Sequence, residues 1–136
     1  MEKWQYYGLF IDKETHDKLI DVLVDYHWID TLNDSEEEYL DHCTLMHNSQ
    51  KEDWLEVMLD NYLGNKFHVT ILAVGISDKA MAFKVRRHGI VTSCKNTTPH
   101  ITICTFNGGK PVDSNNIVKW HDLDEPIEIE TTLKRV

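Results

Sequence analysis

Three copies of the tripeptide His-x-Thr stand out in the sequence, because each places an imidazole two residues from a hydroxyl. The copies are His42-Cys43-Thr44, His68-Val69-Thr70 and His100-Ile101-Thr102. Each lies in a short run that predicts a β-strand, and residues i and i+2 of a strand point to the same face. We therefore expect each strand to present a histidine beside a threonine, with apolar residues on its other face.

Two such strands would suit the cleavage of a phosphodiester. An in-line displacement at phosphorus needs a base on the attacking oxygen and an acid on the leaving oxygen. Histidine serves both tasks near neutral pH, since its unperturbed pKa is about 6.5, and each step contributes roughly 10²–10⁴ in rate. The threonine hydroxyls can donate hydrogen bonds to the non-bridging oxygens. The eight histidines include no H-E-x-x-H motif, so we predict neither a catalytic metal nor any other cofactor.

Spacing alone does not select which two of the three copies form the site. The pattern resembles the 2H phosphoesterase superfamily, and most closely the cyclic-phosphodiesterase-like domains related to plant and fungal tRNA ligases. The likeness is most specific over residues 74–85, which resemble the strand–turn–strand between the motifs, and over residues 96–103 and 108–115, which resemble the second motif and its following loop.

The resemblance implies catalytic roles for His42 and His100 and phosphate binding by Thr44 and Thr102, and it leaves His68 structural. It also implies a compact two-lobed α+β fold, with antiparallel sheets, helices on their outer side and a central cleft. The activity implied is metal-independent hydrolysis of a cyclic phosphodiester.

Length and charge restrict the remaining possibilities. The 136 residues predict one domain spanning residues 1–136. The net charge of −9 disfavours binding of duplex nucleic acid and favours a small cyclic nucleotide, an oligonucleotide or a nucleic-acid end. No apolar run is long enough to cross a membrane, and no signal peptide is evident, so we expect a cytoplasmic protein. The three cysteines are expected to be reduced and buried.

The pattern of apolar residues predicts strands separated by two helices. A helix is predicted over residues 12–26 with Asp12 as its N-cap, and a loop over residues 30–38. Ser49 and Glu52 have the spacing of a capping box before a second helix, which Gly64 would end. Trp54, Leu55, Met58 and Tyr62 would form its apolar face. The predicted strands are residues 4–11, 39–46, 67–74, 81–85, 100–106 and 127–132, with a short helix or turn over 114–120.

Further side chains are candidates for substrate contact. Lys110 follows two glycines and could touch a phosphate, although a turn lysine is usually solvated. Tyr6, Tyr7 and Trp120 could stack on a base, although aromatic residues at such positions are more often core. His47 lies an odd number of residues from His42, so it should face away from it. Arg86-Arg87-His88 is interpreted as a solvated hairpin end.

Three functions remain open at this point. The first is an enzyme that hydrolyses a 2′,3′-cyclic phosphate on a nucleotide or RNA end, or a cyclic oligonucleotide second messenger, as some viral 2H-like enzymes do to evade host defence. The second is a module that binds such a ligand without turnover, and the third is an RNA-repair accessory domain. Intact histidines in both motifs favour the enzyme, since binding alone needs no acid–base pair. Which histidine is the base, and the oligomeric state, do not follow from the sequence.

Overall fold

Six antiparallel strands form a closed barrel in the computed structural model, which describes residues 4–89 and 98–136. Seven strands lie in the described residues, and all of them except β2 form the barrel: β1 (Tyr6–Phe10), β2 (Glu37–Glu38), β3 (His42–His47), β4 (Lys66–Ile76), β5 (Ala80–Arg87), β6 (His100–Thr105) and β7 (Lys119–Arg135). They are ordered β2-β6-β3-β1-β7-β4-β5, and an additional β5–β6 pairing closes the ring. The two-residue strand β2 adds to β6 beside β3.

This closure makes the predicted two-lobed α+β fold wrong. Two lobes would require two separate sheets, whereas every strand of the described residues belongs to one continuous sheet. The 17-residue strand β7 is responsible, because it pairs with both β1 and β4. Only residues 127–132 of it were predicted, since residues 119–126 are mainly polar and include Pro126. Helices are few in the part of the chain that the structure describes: α1 (Lys13–Asp25), α2 (Ile29–Asn33), α3 (Asp53–Asn61) and two 3₁₀ turns, Asn48–Gln50 and Pro111–Asn116.

The core lies on one face of the strands. Leu9, Leu45, Phe83 and Ile101 are completely buried there, in one cluster with buried side chains of α1 and α3. Burial of each such side chain contributes about 1.5–3 kcal/mol to stability. The alternate residues of β3 and β6 therefore lie on the opposite face, where the motif histidines and threonines are found.

The helices agree in part with the sequence-based expectations. Helix α1 is confirmed, and the Asp12 side chain accepts a hydrogen bond from the Thr15 amide at 2.8 Å. The predicted loop over residues 30–38 is wrong, since it contains most of α2 and all of β2. The predicted capping box is also wrong, because Ser49 lies in a 3₁₀ turn and Glu52, the N-cap of α3, makes no side-chain cap. Trp54 is 53% exposed rather than core.

Two further properties concern the part of the chain that the structure describes. None of its helices is long and apolar enough to cross a membrane. Cys43 and Cys104 are buried as expected, and burial raises the pKa of the Cys104 thiol to about 11. Cys94 lies outside the described residues, as do residues 96 and 97 of the segment that resembles the second motif.

Candidate active site

The first and third His-x-Thr copies lie side by side on neighbouring strands. Strands β3 and β6 are antiparallel, and Cys43 pairs with Ile101, the middle residue of each copy. Both middle residues are buried in the core, so the histidines and threonines project from the other face. The antiparallel register relates the two tripeptides by a local two-fold axis, which places each histidine across from the threonine of the other copy.

A cavity of about 360 Å³ is lined by all four of these side chains, His42, Thr44, His100 and Thr102. Its walls are completed by residues of the two 3₁₀ turns, Asn48–Gln50 and Pro111–Asn116. A cavity of this size is at the lower end of the range that binds small molecules.

The His42 ring is fixed by a carboxylate and two aromatic rings. Its Nδ1 lies 2.6 Å from Asp41 Oδ1, and its Nε2 lies 3.1 Å from Thr44 Oγ1. Tyr6 and Phe10 stack on the imidazole with centroid distances of 4.7 and 4.9 Å. The hydrogen bond from His42 holds the pKa of the Asp41 carboxyl below its usual value, although partial burial opposes this effect.

A glycine allows this close packing around His42. A Cβ atom at Gly8 would lie 3.2 Å from His42 Cδ2, from the Cys43 carbonyl oxygen and from Phe10 Cε1. Contacts this short would require the neighbours to move by a few tenths of an ångström. The histidine therefore packs directly over the backbone of β1.

His100 has different surroundings. Its Nδ1 donates a hydrogen bond to the Thr98 carbonyl oxygen at 2.9 Å, which leaves Nε2 of the neutral ring as an acceptor. Burial lowers the pKa of His100, and the positive charges of His42 and Arg87 act in the same direction. The hydrogen bond to Thr98 opposes the shift. The neutral form of His100 is thus favoured.

The Thr102 hydroxyl is oriented by the second 3₁₀ turn. Its Oγ1 lies 2.9 Å from Oγ of Ser114, which is buried, and 3.5 Å from the Pro111 carbonyl oxygen. Thr44 instead contacts the His42 ring, and its carbonyl oxygen accepts a hydrogen bond from Arg87 Nη1 at 3.3 Å. The two copies are therefore similar in backbone position and different in their polar neighbours.

The four candidate substrate contacts have different positions, and Tyr7 is completely buried in the core. Tyr6 touches the His42 ring itself. Lys110 is exposed and precedes the second 3₁₀ turn, where its amide donates to Asp113 Oδ2 at 2.8 Å. Trp120 packs against Ala80, Ala82 and Ile117, and it is not one of the described residues that line the cavity.

The second His-x-Thr copy is not part of this cavity. His68 is exposed on β4, which is separated from β6 by β5. Thr70 is buried, and its hydroxyl lies 2.7 Å from His88 Nε2. The structure thus brings the first and third copies together and leaves the second outside the cavity.

Sequence reasoning misplaced His47 and Arg87 and overlooked Asp41. His47 lines the cavity. A β-bulge at Leu45 shifts the pairing of β3 with β1 by one residue between Tyr7 and Gly8, and this shift turns the His47 side chain to the same face as His42. Arg87 is not a solvated hairpin end, since it contacts β3 near His100. The turn residues Ser49 and Gln50 were also missed as cavity walls. Bulges leave no reliable sequence signal here.

The described residues contain no cluster of three or more histidine, cysteine, aspartate or glutamate side chains that could hold a metal ion. Within residues 4–89 and 98–136, side chains of these four types are therefore not grouped in the number that a metal site requires.

Comparison with known proteins identifies the family. Residues 31–135 match the fungal tRNA ligase phosphodiesterase domain, which is of the 2H phosphoesterase type. The chain belongs to this family, as its resemblance predicted. No curated protein matches the chain significantly.

The solved structure of a fungal RNA kinase has a similar fold, with a TM-score of 0.66 and 17% sequence identity. The match covers 97% of this chain and 45% of that chain. The chain therefore spans less than half the length of its structural relative.

Proposed function

We propose that the protein hydrolyses a 2′,3′-cyclic phosphate at the end of an RNA, using His100 as the base and His42 as the acid. The observation that carries this proposal is the pairing of two His-x-Thr copies across one antiparallel ladder, in one cavity, with different polar surroundings for the two rings. Membership of the tRNA ligase phosphodiesterase family supports an RNA end as the substrate.

In the proposed reaction a water molecule attacks phosphorus and gives its proton to His100 Nε2. The new P–O bond forms as the bond to one ribose oxygen breaks, and His42 Nε2 gives a proton to that leaving oxygen. The product is a phosphomonoester beside a free ribose hydroxyl. The two histidines have then exchanged protonation states, and proton exchange with solvent restores them.

The assignment of the two roles follows from the neighbours of each ring. Burial and the nearby positive charges favour neutral His100, which is the form a base requires. His42 has the Asp41 carboxylate beside Nδ1. When both nitrogens of the His42 ring carry a proton, the negative charge of Asp41 compensates the positive charge of the ring. In this proposal Thr44 and Thr102, which line the same cavity, donate hydrogen bonds to the non-bridging phosphate oxygens as charge develops there.

The test is chromatographic measurement of turnover on a panel of substrates, each with EDTA present. The panel contains 2′,3′-cyclic mononucleotides, a short RNA with a 2′,3′-cyclic end, cyclic dinucleotides and cyclic trinucleotides. We expect the RNA and the mononucleotides to be cleaved, and His42→Ala or His100→Ala to reduce kcat by at least about 10²-fold.

His68→Ala is the matched control, because it removes a histidine from the copy outside the cavity. It should retain wild-type turnover. Binding of the RNA without cleavage of any panel member would indicate a sequestering module instead, and cleavage of only the cyclic oligonucleotides would reassign the substrate to a second messenger.

A further inference from the structure

The side chains of Asp41 and His42 meet although the two residues are adjacent in sequence. Their contact of 2.6 Å joins Asp41 Oδ1 to His42 Nδ1. In a regular strand neighbouring side chains point to opposite faces, so this contact cannot form there. The backbone must therefore depart from strand geometry just before His42.

The chain bends at Asp41, just before β3 begins, and the preceding residue Leu40 has a φ of 46°. A left-handed conformation is unfavourable for a leucine and persists only where the surrounding structure fixes it. Leu40 is almost completely buried, and its amide donates a hydrogen bond to the Thr102 carbonyl oxygen at 2.9 Å. This backbone conformation separates β2 from β3.

Asp41 is itself held by its backbone. Its carbonyl oxygen accepts a hydrogen bond from the Ile11 amide at 3.0 Å, so the residue is fixed to the end of β1 as well as to β6 through Leu40. Its side chain lines the cavity and keeps 55% of its surface exposed. Burial in the core therefore does not account for the orientation of the carboxylate.

We propose that Asp41 is a positioning residue, which directs the Nδ1 proton of His42 toward its carboxylate and Nε2 toward the cavity. This role rests on the proposed phosphodiesterase function. His100 obtains the same orientation from a backbone carbonyl, that of Thr98. Asp41 differs in carrying a charge, and Tyr6 and Phe10 restrict the plane of the ring that it orients.

The chain provides a matched control for this contact. His16 and Asp17 are also adjacent, and Asp17 Oδ1 lies 3.2 Å from His16 Nδ1, but the pair is exposed on α1. Asp17→Ala removes a carboxylate from a histidine at the same sequence spacing and outside the cavity.

The experiment combines kinetics with ¹⁵N NMR of the histidine rings in the full chain. For Asp41→Ala we expect kcat to fall about 10–100-fold with little change in KM, as for other groups that orient a functional histidine. Asp41→Asn should recover part of this loss, because its amide oxygen still accepts from Nδ1. Asp17→Ala should behave as the wild type, and all variants should keep the wild-type circular dichroism spectrum.

The NMR measurement needs no turnover. At about pH 9, where imidazoles are neutral, His42 of the wild type should carry its proton on Nδ1. Asp41→Ala should populate the Nε2 tautomer, and Asp17→Ala should leave His42 unchanged. A His42 tautomer unaffected by Asp41→Ala would overturn the positioning role. A wild type that cleaves no substrate, with the expected tautomers, would instead overturn the proposed function.

Discussion

At the scale of single residues, the two histidines differ in what holds their Nδ1 protons. His42 donates to a carboxylate and His100 to a backbone carbonyl. Because the two tripeptides are related by a local two-fold axis, their own residues do not distinguish an acid from a base. In the proposed mechanism the distinction comes from residues that precede each copy, Asp41 and Thr98, and from Arg87.

The lowered pKa of His100 predicts the pH dependence of turnover. Burial and the nearby positive charges destabilise the protonated ring, so the neutral base persists to lower pH than for an ordinary histidine. The acid limb of kcat/KM should therefore have its midpoint below about 6.5. A pH–rate profile on a 2′,3′-cyclic mononucleotide measures it.

Arg87→Ala should move this acid limb to higher pH, because removal of a positive charge raises the pKa of His100. Arg86→Ala serves as the control, since Arg86 is exposed, adjacent in sequence and not among the charges that affect His100. Equal shifts in both variants would indicate a general change of charge rather than a specific effect of Arg87.

At the scale of elements, the second 3₁₀ turn contacts the sheet through Thr102, whose hydroxyl lies close to the Ser114 hydroxyl and, at a longer distance, to the Pro111 carbonyl oxygen. Ser114→Ala should reduce stability by about 1 kcal/mol, because it removes a buried hydrogen bond. It should also lower kcat/KM several-fold, since the Thr102 hydroxyl would no longer be directed by Ser114. Thermal unfolding and steady-state kinetics measure the two effects.

Ser35→Ala is the control for this variant, because its hydroxyl also makes a partly buried hydrogen bond, to the Leu32 carbonyl oxygen at 2.6 Å, away from the cavity. It should lose comparable stability and keep its kinetics. If Ser114→Ala loses stability and keeps wild-type kcat/KM, the turn does not orient Thr102 for function.

The elements with a regular period could be predicted from the sequence. Helix α1 repeats apolar residues at helical spacing after a capping aspartate, and the motif strands alternate residues of the core with residues of the cavity. Regular alternation predicts that His42 shares a face with Thr44, and His100 with Thr102, and the structure has both pairs lining one cavity.

Departures from a regular period could not be predicted. Asp41 lies in a bend that follows the left-handed residue Leu40, and His47 follows the bulge at Leu45. The Leu40 amide is hydrogen-bonded to Thr102 of β6, and the bulge lies where β3 pairs with β1; a linear pattern contains neither pairing. Strand β7 was underestimated for a similar reason, because its polar first half is stabilised by pairing with β4.

At the scale of the whole molecule, the net charge of −9 opposes the approach of a long RNA. We expect kcat/KM for an RNA of about 20 nucleotides with a 2′,3′-cyclic end to rise between about 50 and about 200 mM salt, as repulsion is screened. The value for a cyclic mononucleotide should change less. A fall with salt would instead indicate that basic side chains contact the upstream phosphates.

Closure of the barrel also determines how the two motif strands can move. Strands β3 and β6 are joined directly at Cys43 and Ile101, and also the other way around the ring through β1, β7, β4 and β5. Spreading them apart would break hydrogen bonds on both routes, so the spacing between the two imidazoles is a fixed dimension of the scaffold. A rigid inhibitor with two anionic groups matched to that spacing can therefore be designed from the unliganded form.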